Sequence, residues 1–303
     1  MSFSVLSEFD HLVGSVHDRV DCLVSTSLWD LDRSRLNGWW AQFVTKEERF
    51  FAACLLDSLI YRSKEQFSAG LRTLYHQPVR WAAASKVPGD DDLDLVRLLR
   101  KPGPGLIRLT PVICDHDPPT KSGPLILRRA KKALGITEEC MAWPWAVEQA
   151  IDREHVQVVI FVDDFLGTGN QFCEFIRTMM RGKLDTSVKW IYAPVVAHTD
   201  GLKKVNAEFP QITVVYAELL EPQHSFFNSE YWPSVSNGGI SAIDALAFYE
   251  SFMRKHGLKG TLKAPLKGYG ELSLCFGFEH ATPDNTLPIL WHNRSEWTNL
   301  LQR

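Results

Sequence analysis

The pattern of apolar and polar positions changes character along the chain. In the first third, apolar residues recur at helical spacing. Phe50, Phe51, Cys54, Leu55, Leu59 and Ile60 follow Thr45-Lys46-Glu47-Glu48, and Phe67, Leu71, Leu74 and Tyr75 follow Ser63-Lys64-Glu65-Gln66. Each four-residue lead fits a capping box, in which a Ser or Thr hydroxyl and a Glu or Gln side chain satisfy the free N–H groups of a helix start. Two consecutive helices are predicted, and their aromatic stripes, with Trp39 and Trp40 upstream, face a core. From Gly105 onward, continuous apolar runs alternate with helical ones. Strands are expected at 106–114, 156–162, 188–196 and 212–219, and helices at 125–134, 171–181 and 200–208. Buried strands separated by helices imply an α/β fold with a mainly parallel sheet, whose ligands gather beyond the C-terminal ends of the strands. Residues 241–255 read as a helix with Ile243, Leu246, Phe248, Tyr249, Phe252 and Met253 apolar. Leu272, Leu274, Phe276 and Phe278, alternating with Ser273, Cys275 and Gly277, read as a strand. The polar break at 86–94, containing Pro88-Gly89-Asp90-Asp91-Asp92, divides the chain into a helical N-terminal region, 1–95, and an α/β domain, 96–303. Its acid run reads as a solvated loop rather than a metal site.

Chemistry concentrates after the second of these strands. Val158-Val159-Ile160-Phe161-Val162 runs into Asp163 and Asp164, and then through Phe165-Leu166 into Gly167-Thr168-Gly169-Asn170-Gln171. Phe172, Phe175, Ile176, Met179 and Met180 follow at helical spacing, so the chain turns from strand to helix within a few residues. Backbone N–H groups of 167–171 at a positive helix end can hold a phosphate, while carboxylates at the strand's edge can accept sugar hydroxyls. Phosphate and diol together suggest a ribose 5-phosphate. Two acids before a tight turn can also be coincidence, but strand, diacid, Thr-Gly loop and amphipathic helix in succession argue against that. A dinucleotide site is disfavoured, since Gly167 and Gly169 lack the rest of that fingerprint.

This stretch resembles the motif with which type I phosphoribosyltransferases bind 5-phosphoribosyl 1-pyrophosphate (PRPP). The resemblance implies a phosphoribosyltransferase-type sheet, with Asp163 and Asp164 on the ribose 2- and 3-hydroxyls and at a Mg²⁺ ion, and Gly167, Thr168, Gly169, Asn170 and Gln171 on the 5-phosphate. Asn170 and Gln171 depart from the small residue and Ser or Thr usual there. A second segment, 115–124, follows one strand and precedes the next helix. Its Lys121, Ser122 and Gly123 are similar to the family's pyrophosphate loop, although a Pro-rich surface turn explains the segment equally well. Some 6-oxopurine transferases carry an acid where this chain has Gly167, which disfavours hypoxanthine or guanine transfer by that route. The Trp-rich helical N-terminus and the closing Thr282-Pro283-Asp284-Asn285-Thr286-Leu287-Pro288 stretch look like phosphoribosyltransferase-like proteins of bacterial conflict and anti-phage loci, including retron operons. The implied activity is chemistry at ribose C1 of PRPP or a nucleotide, by transfer or by glycosidic cleavage. The alternative is a catalytically silent nucleotide-sensing or assembly subunit that holds a reverse transcriptase or nucleoprotein.

Composition narrows the class without choosing among these. The 303 residues are 45% hydrophobic and 23% charged, which fits an ordinary globular protein with a substantial core. A formal charge of -3 gives no global attraction to nucleic acid or anionic membrane. Six scattered cysteines without metal spacing, and no apolar run of membrane-spanning length, lead to the expectation of a reduced, cytoplasmic protein. His280, Asn285 and Trp291 could read a base, and His198 and His224 could move protons. Each taken singly reads more simply as a structural residue.

Overall fold

The computed structural model describes residues 3, 9–86, 95–101, 105–118, 120–258, 260, 265–293 and 296–303. Seven strands stand among them: β1 (Ile60–Arg62), β2 (Ile107–Pro111), β3 (Val158–Leu166), β4 (Lys189–His198), β5 (Ile212–Val214), β6 (Glu218–Leu220) and β7 (Phe276–Phe278). The chain forms two compact units, one of residues 1–64 with 221–303, the other of residues 65–220. Neither junction coincides with the expected division at 95/96. Hydrophobic periodicity shows that a helix is buried but not which distant segment covers it, so a unit assembled from both ends of the chain leaves no local mark. Most of the expected break, 87–94, lies outside the described residues.

The discontinuous unit is helical, with β1 and β7 paired in parallel. Helices Asp10–Ser25, Arg33–Trp40, Lys46–Asp57 and Ala242–Lys255 surround a core of Trp39, Phe43, Phe50, Phe51, Trp232, Tyr249, Phe252 and Trp297. Trp39 is wholly buried, its indole N–H donating to the Ile289 carbonyl at 3.0 Å. The capping box at 45–48 forms as expected. Thr45 Oγ1 accepts from the Glu48 amide at 3.2 Å, and Glu48 Oε2 accepts from the amides of Val44 and Thr45 at 2.8 and 3.1 Å. Thr45→Ala should therefore cost about 1 kcal/mol of stability, read as a lower urea midpoint with unchanged slope. Three readings need correction here. The helical run read through Leu59 and Ile60 ends at Asp57, and Ile60 opens β1. Ile243, assigned to an apolar face, is 80% exposed. The strand expected over 272–278 shortens to β7, because Ser273 adopts a left-handed φ of 51° that breaks the extended run.

The continuous unit carries a parallel sheet in the order β2-β3-β4-β5, with β6 also paired to β4. β5 and β6 meet β4 at one constant offset, Trp190 with Ile212 and Val196 with Glu218, so they are one edge strand interrupted at 215–217. β3 and β4 are buried along almost their whole length, as central parallel strands covered on both faces should be. Helix Asn170–Met179 lays Phe172, Phe175 and Ile176 on the face formed by Phe161, Trp190 and Tyr192. Helix Ser122–Leu134 buries Gly123, Ile126, Ala130 and Leu134. The six cysteines are all free.

Candidate functional site

β3 runs past the acids. Phe165 and Leu166 still pair with Val196 and Ala197, so Asp163 and Asp164 lie inside the strand rather than at its edge. The long partner β4 supplies the hydrogen bonds that carry β3 two residues further than its apolar run. Successive side chains in a strand start from opposite faces, so the two acids meet different partners, although their carboxyl groups still interact with each other. Asp163 shares the face of Phe161 and Tyr192. Its Oδ2 accepts from the Tyr192 hydroxyl at 2.9 Å, and its Oδ1 from the Asp164 amide at 3.0 Å. Asp164 lies on the other face, where its Oδ1 accepts from Ser122 Oγ at 3.3 Å. Both are buried, at 3% and 8% relative exposure.

Burial, and next the adjacent Asp164, push the Asp163 carboxyl well above its usual range, against a smaller downward pull from the Tyr192 hydroxyl. Burial and the nearby Asp163 likewise raise the Tyr192 phenol. An acid whose folded pKa is raised is most stabilising below its unfolded pKa, about 3.9, and loses that contribution as pH rises towards the folded value. Asp163→Asn, which keeps the shape and cannot ionise, should therefore gain stability relative to the native protein as pH climbs from about 4. Denaturation midpoints measured from pH 4 to 9 check this. A difference that is constant, or that shrinks with pH, would count against a neutral Asp163.

The loop that follows is held by backbone contacts. Gly169 has φ +81°, a conformation that strains any side-chain-bearing residue, and it caps helix Asn170–Met179. Gly201, in helix Thr199–Glu208 just beyond β4, lies so close that a Cβ there would sit 2.4 Å from the Gly167 carbonyl oxygen. Among the described residues, the amides of Gly167, Thr168, Gly169 and Gln171 donate to no protein acceptor. Four N–H groups thus stand without a protein acceptor at a helix N-terminus, beside two cations. Lys204 Nζ reaches Asn170 Oδ1, and Lys121 Nζ reaches Gln171 Oε1 at 3.3 Å.

The two segments singled out in the sequence therefore meet. Lys121 with Gln171 and Ser122 with Asp164 join 115–124 to the loop after β3. Gly123 lets its helix approach β2, since a Cβ there would lie 3.0 Å from the Val112 carbonyl oxygen. Asp117 Oδ2 accepts from the Cys114 amide at 2.8 Å, and the Lys121 amide donates to the Pro118 carbonyl at 3.1 Å, fixing two successive turns. Pro119, within this segment, lies outside the described residues.

Other candidates have structural work. His198 Nδ1 accepts from the Asp200 amide at 3.2 Å and caps the next helix, and His224 Nδ1 accepts from the Glu221 amide at 2.9 Å. Asn285 Nδ2 donates to the Tyr269 carbonyl and Trp291 Nε1 to the Thr286 carbonyl, which pins the closing turn. Lys204 and Tyr192 escaped the sequence reading. Lys204 carried one signal, its place on the first turns of a helix following a core strand. Tyr192 sits in an apolar run and carried none. A cleft of about 500 Å³ opens at the far end of helix Asn170–Met179, lined by Ile176, Arg177, Met180 and Arg181, and has no part in this arrangement.

As a metal site, the acids fit narrowly. No group of three or more His, Cys, Asp or Glu side chains that could hold a metal stands together among the described residues. Asp163 has both oxygens engaged. Mg²⁺ commonly binds through one or two carboxylates together with substrate phosphates. Asp164 could supply such a carboxylate, with a bound pyrophosphate supplying the other oxygens.

A parallel α/β sheet with a diacid in the C-terminal half of a central strand, and a loop and helix directly after it, fits a phosphoribosyltransferase-like protein. The chain belongs to the PRTase-CE family, whose match covers residues 36–303. No curated protein matches it. Among solved structures it is similar to the AQ2163 protein from Aquifex aeolicus, at 13% identity and a TM-score of 0.31 over 62% of this chain and 83% of that one. A likeness so low carries no functional argument. No helix among the described residues is long and apolar enough to cross a membrane.

Proposed function

We propose that this protein binds PRPP or a nucleotide and acts at ribose C1. The observation that carries the reading is the meeting of the two loops, with unpartnered amides at Gly167, Thr168, Gly169 and Gln171 beside Lys121 and Lys204. In this reading the amides of 167–171 grip the 5-phosphate, as helix N-termini hold anions. Asp164 meets the ribose hydroxyls, and buried Asp163 positions the strand end that presents it. Lys121 and the turn at Ser122 and Gly123 face the pyrophosphate, which departs with the electron pair of its bond to C1 as the lone pair of an acceptor base forms the new bond there; with a nucleotide as substrate the base departs instead and water takes its place. Mg²⁺, held by Asp164 and the phosphate oxygens, would neutralise charge on that leaving group. The setting we infer is bacterial anti-phage defence, supported by the chain's resemblance to conflict-locus proteins.

Incubating the protein and Mg²⁺ with PRPP and a panel of nucleotides, and following pyrophosphate and free base, tests this directly. Turnover that is lost in a folded Asp164→Asn variant is the expected result. Near-complete burial of both acids favours a second reading, in which the pocket senses a nucleotide while the protein serves a reverse transcriptase or nucleoprotein. Binding without turnover would support that alternative, and absence of binding would remove both.

A further inference from the structure

Two tryptophans near the same end of the sheet have no role in the fold. Trp143 and Trp145 are 47% and 53% exposed, yet they stack on each other with ring centroids 5.1 Å apart and planes within 6°. Neither indole N–H has an acceptor among the described residues. Pro144, buried between them, opens a short 3₁₀ turn whose fixed φ holds the pair in place. Paired apolar surface left in water at a rigid turn is characteristic of a binding surface.

Register locates the pair. Met141 bridges Leu109 in parallel, and the Ala142 amide donates to the Leu109 carbonyl at 2.9 Å, so this segment runs along the outer edge of β2. Leu109 also pairs with Ile160 on β3. Met141 and Trp143 are extended, which brings Trp143 to about the level of Val162, and the 3₁₀ turn at Pro144–Ala146 then folds Trp145 back beside it. The segment lies two strand spacings from β3, about 10 Å sideways. A ligand whose phosphate sits on the loop after β3, and whose sugar sits over the strand ends, can extend its far end towards this edge.

We propose that Trp143 and Trp145 form a stacking platform for the nucleobase of a ligand held by the loop at 167–171. This deepens the proposed function and rests on it. Indole faces stack on any base, because every base has a π-face. Charge selects a base over a nucleic acid strand. Lys131 with Glu138 and Lys183 with Glu148 form neutral pairs beside the segment, which leaves Glu139 as the surplus charge and no free cation among these residues for a phosphate backbone.

Calorimetric titration of AMP and of ribose 5-phosphate tests the platform in the native protein, in Trp143→Ala/Trp145→Ala and in Trp143→Phe/Trp145→Phe. AMP should bind the native protein about tenfold or more tightly than ribose 5-phosphate, the gain expected of base stacking. The alanine pair should erase that preference and leave ribose 5-phosphate affinity unchanged, which also shows that the variant is folded, and the phenylalanine pair should keep most of it. A preference that survives in the alanine pair overturns the platform. So does equal loss for both ligands, or a native dimer that dissociates in the variant. If ribose 5-phosphate fails to bind the native protein, the loop reading itself fails and the platform falls with it.

Discussion

Gly201→Ala should destabilise the protein by about 1–3 kcal/mol and weaken its hold on phosphorylated ligands at least tenfold. The added methyl would lie 2.4 Å from the Gly167 carbonyl oxygen and 2.8 Å from the Leu166 side chain. The first of these is backbone, so the contact cannot be relieved by turning a side chain, and the loop or helix Thr199–Glu208 must shift. A shift of that kind moves the amides of 167–169 relative to Lys204, whose ammonium reaches Asn170. Gly14→Ala is the matching control. Gly14 is exposed within helix Asp10–Ser25, and a Cβ there meets nothing within 4 Å. It should gain about 0.5–1 kcal/mol, with ligand binding unchanged. Urea denaturation and PRPP titration of both variants separate crowding at the loop from a general intolerance of alanine.

The second large effect concerns charge. Replacing Lys121 and Lys204 together by alanine should lower PRPP affinity about 100-fold, since hydrogen bonds to charged groups contribute roughly 1.5–3 kcal/mol each. Both side chains are about one-third exposed, at 31% and 36%, which places each nearer the lower figure. The native protein should also lose affinity as salt rises, more steeply than the double variant. Arg181→Ala, in the cleft at the other end of helix Asn170–Met179, should leave PRPP affinity untouched.

Much of this arrangement was legible in the chain because its elements are local. The apolar runs of β2, β3 and β4 are continuous, and the helices between them repeat at helical spacing, so a mainly parallel sheet followed from pattern, although its strand order did not. The turn at 167–171 was readable because a short small-residue stretch separates a continuous apolar run from residues at helical spacing. What escaped depends on contacts between segments distant in sequence. Asp163 and Asp164 look equivalent as neighbours, yet Tyr192, twenty-nine positions later, engages the first and Ser122, on a helix before β3, the second. Gly201 reads as an ordinary helical glycine until the Gly167 carbonyl is placed against it. The pairing of β1 with β7 joins three-residue strands from opposite ends of the chain, too short to leave a periodic signal.

The central claim is that the amides after β3 grip a phosphate, and amide chemical shifts report it most directly. On titration with ribose 5-phosphate, the ¹⁵N–¹H signals of Gly167, Thr168, Gly169 and Gln171 should move together and saturate at one common affinity. Signals that stay fixed at these four positions, while those around Arg177 and Arg181 respond, would contradict it.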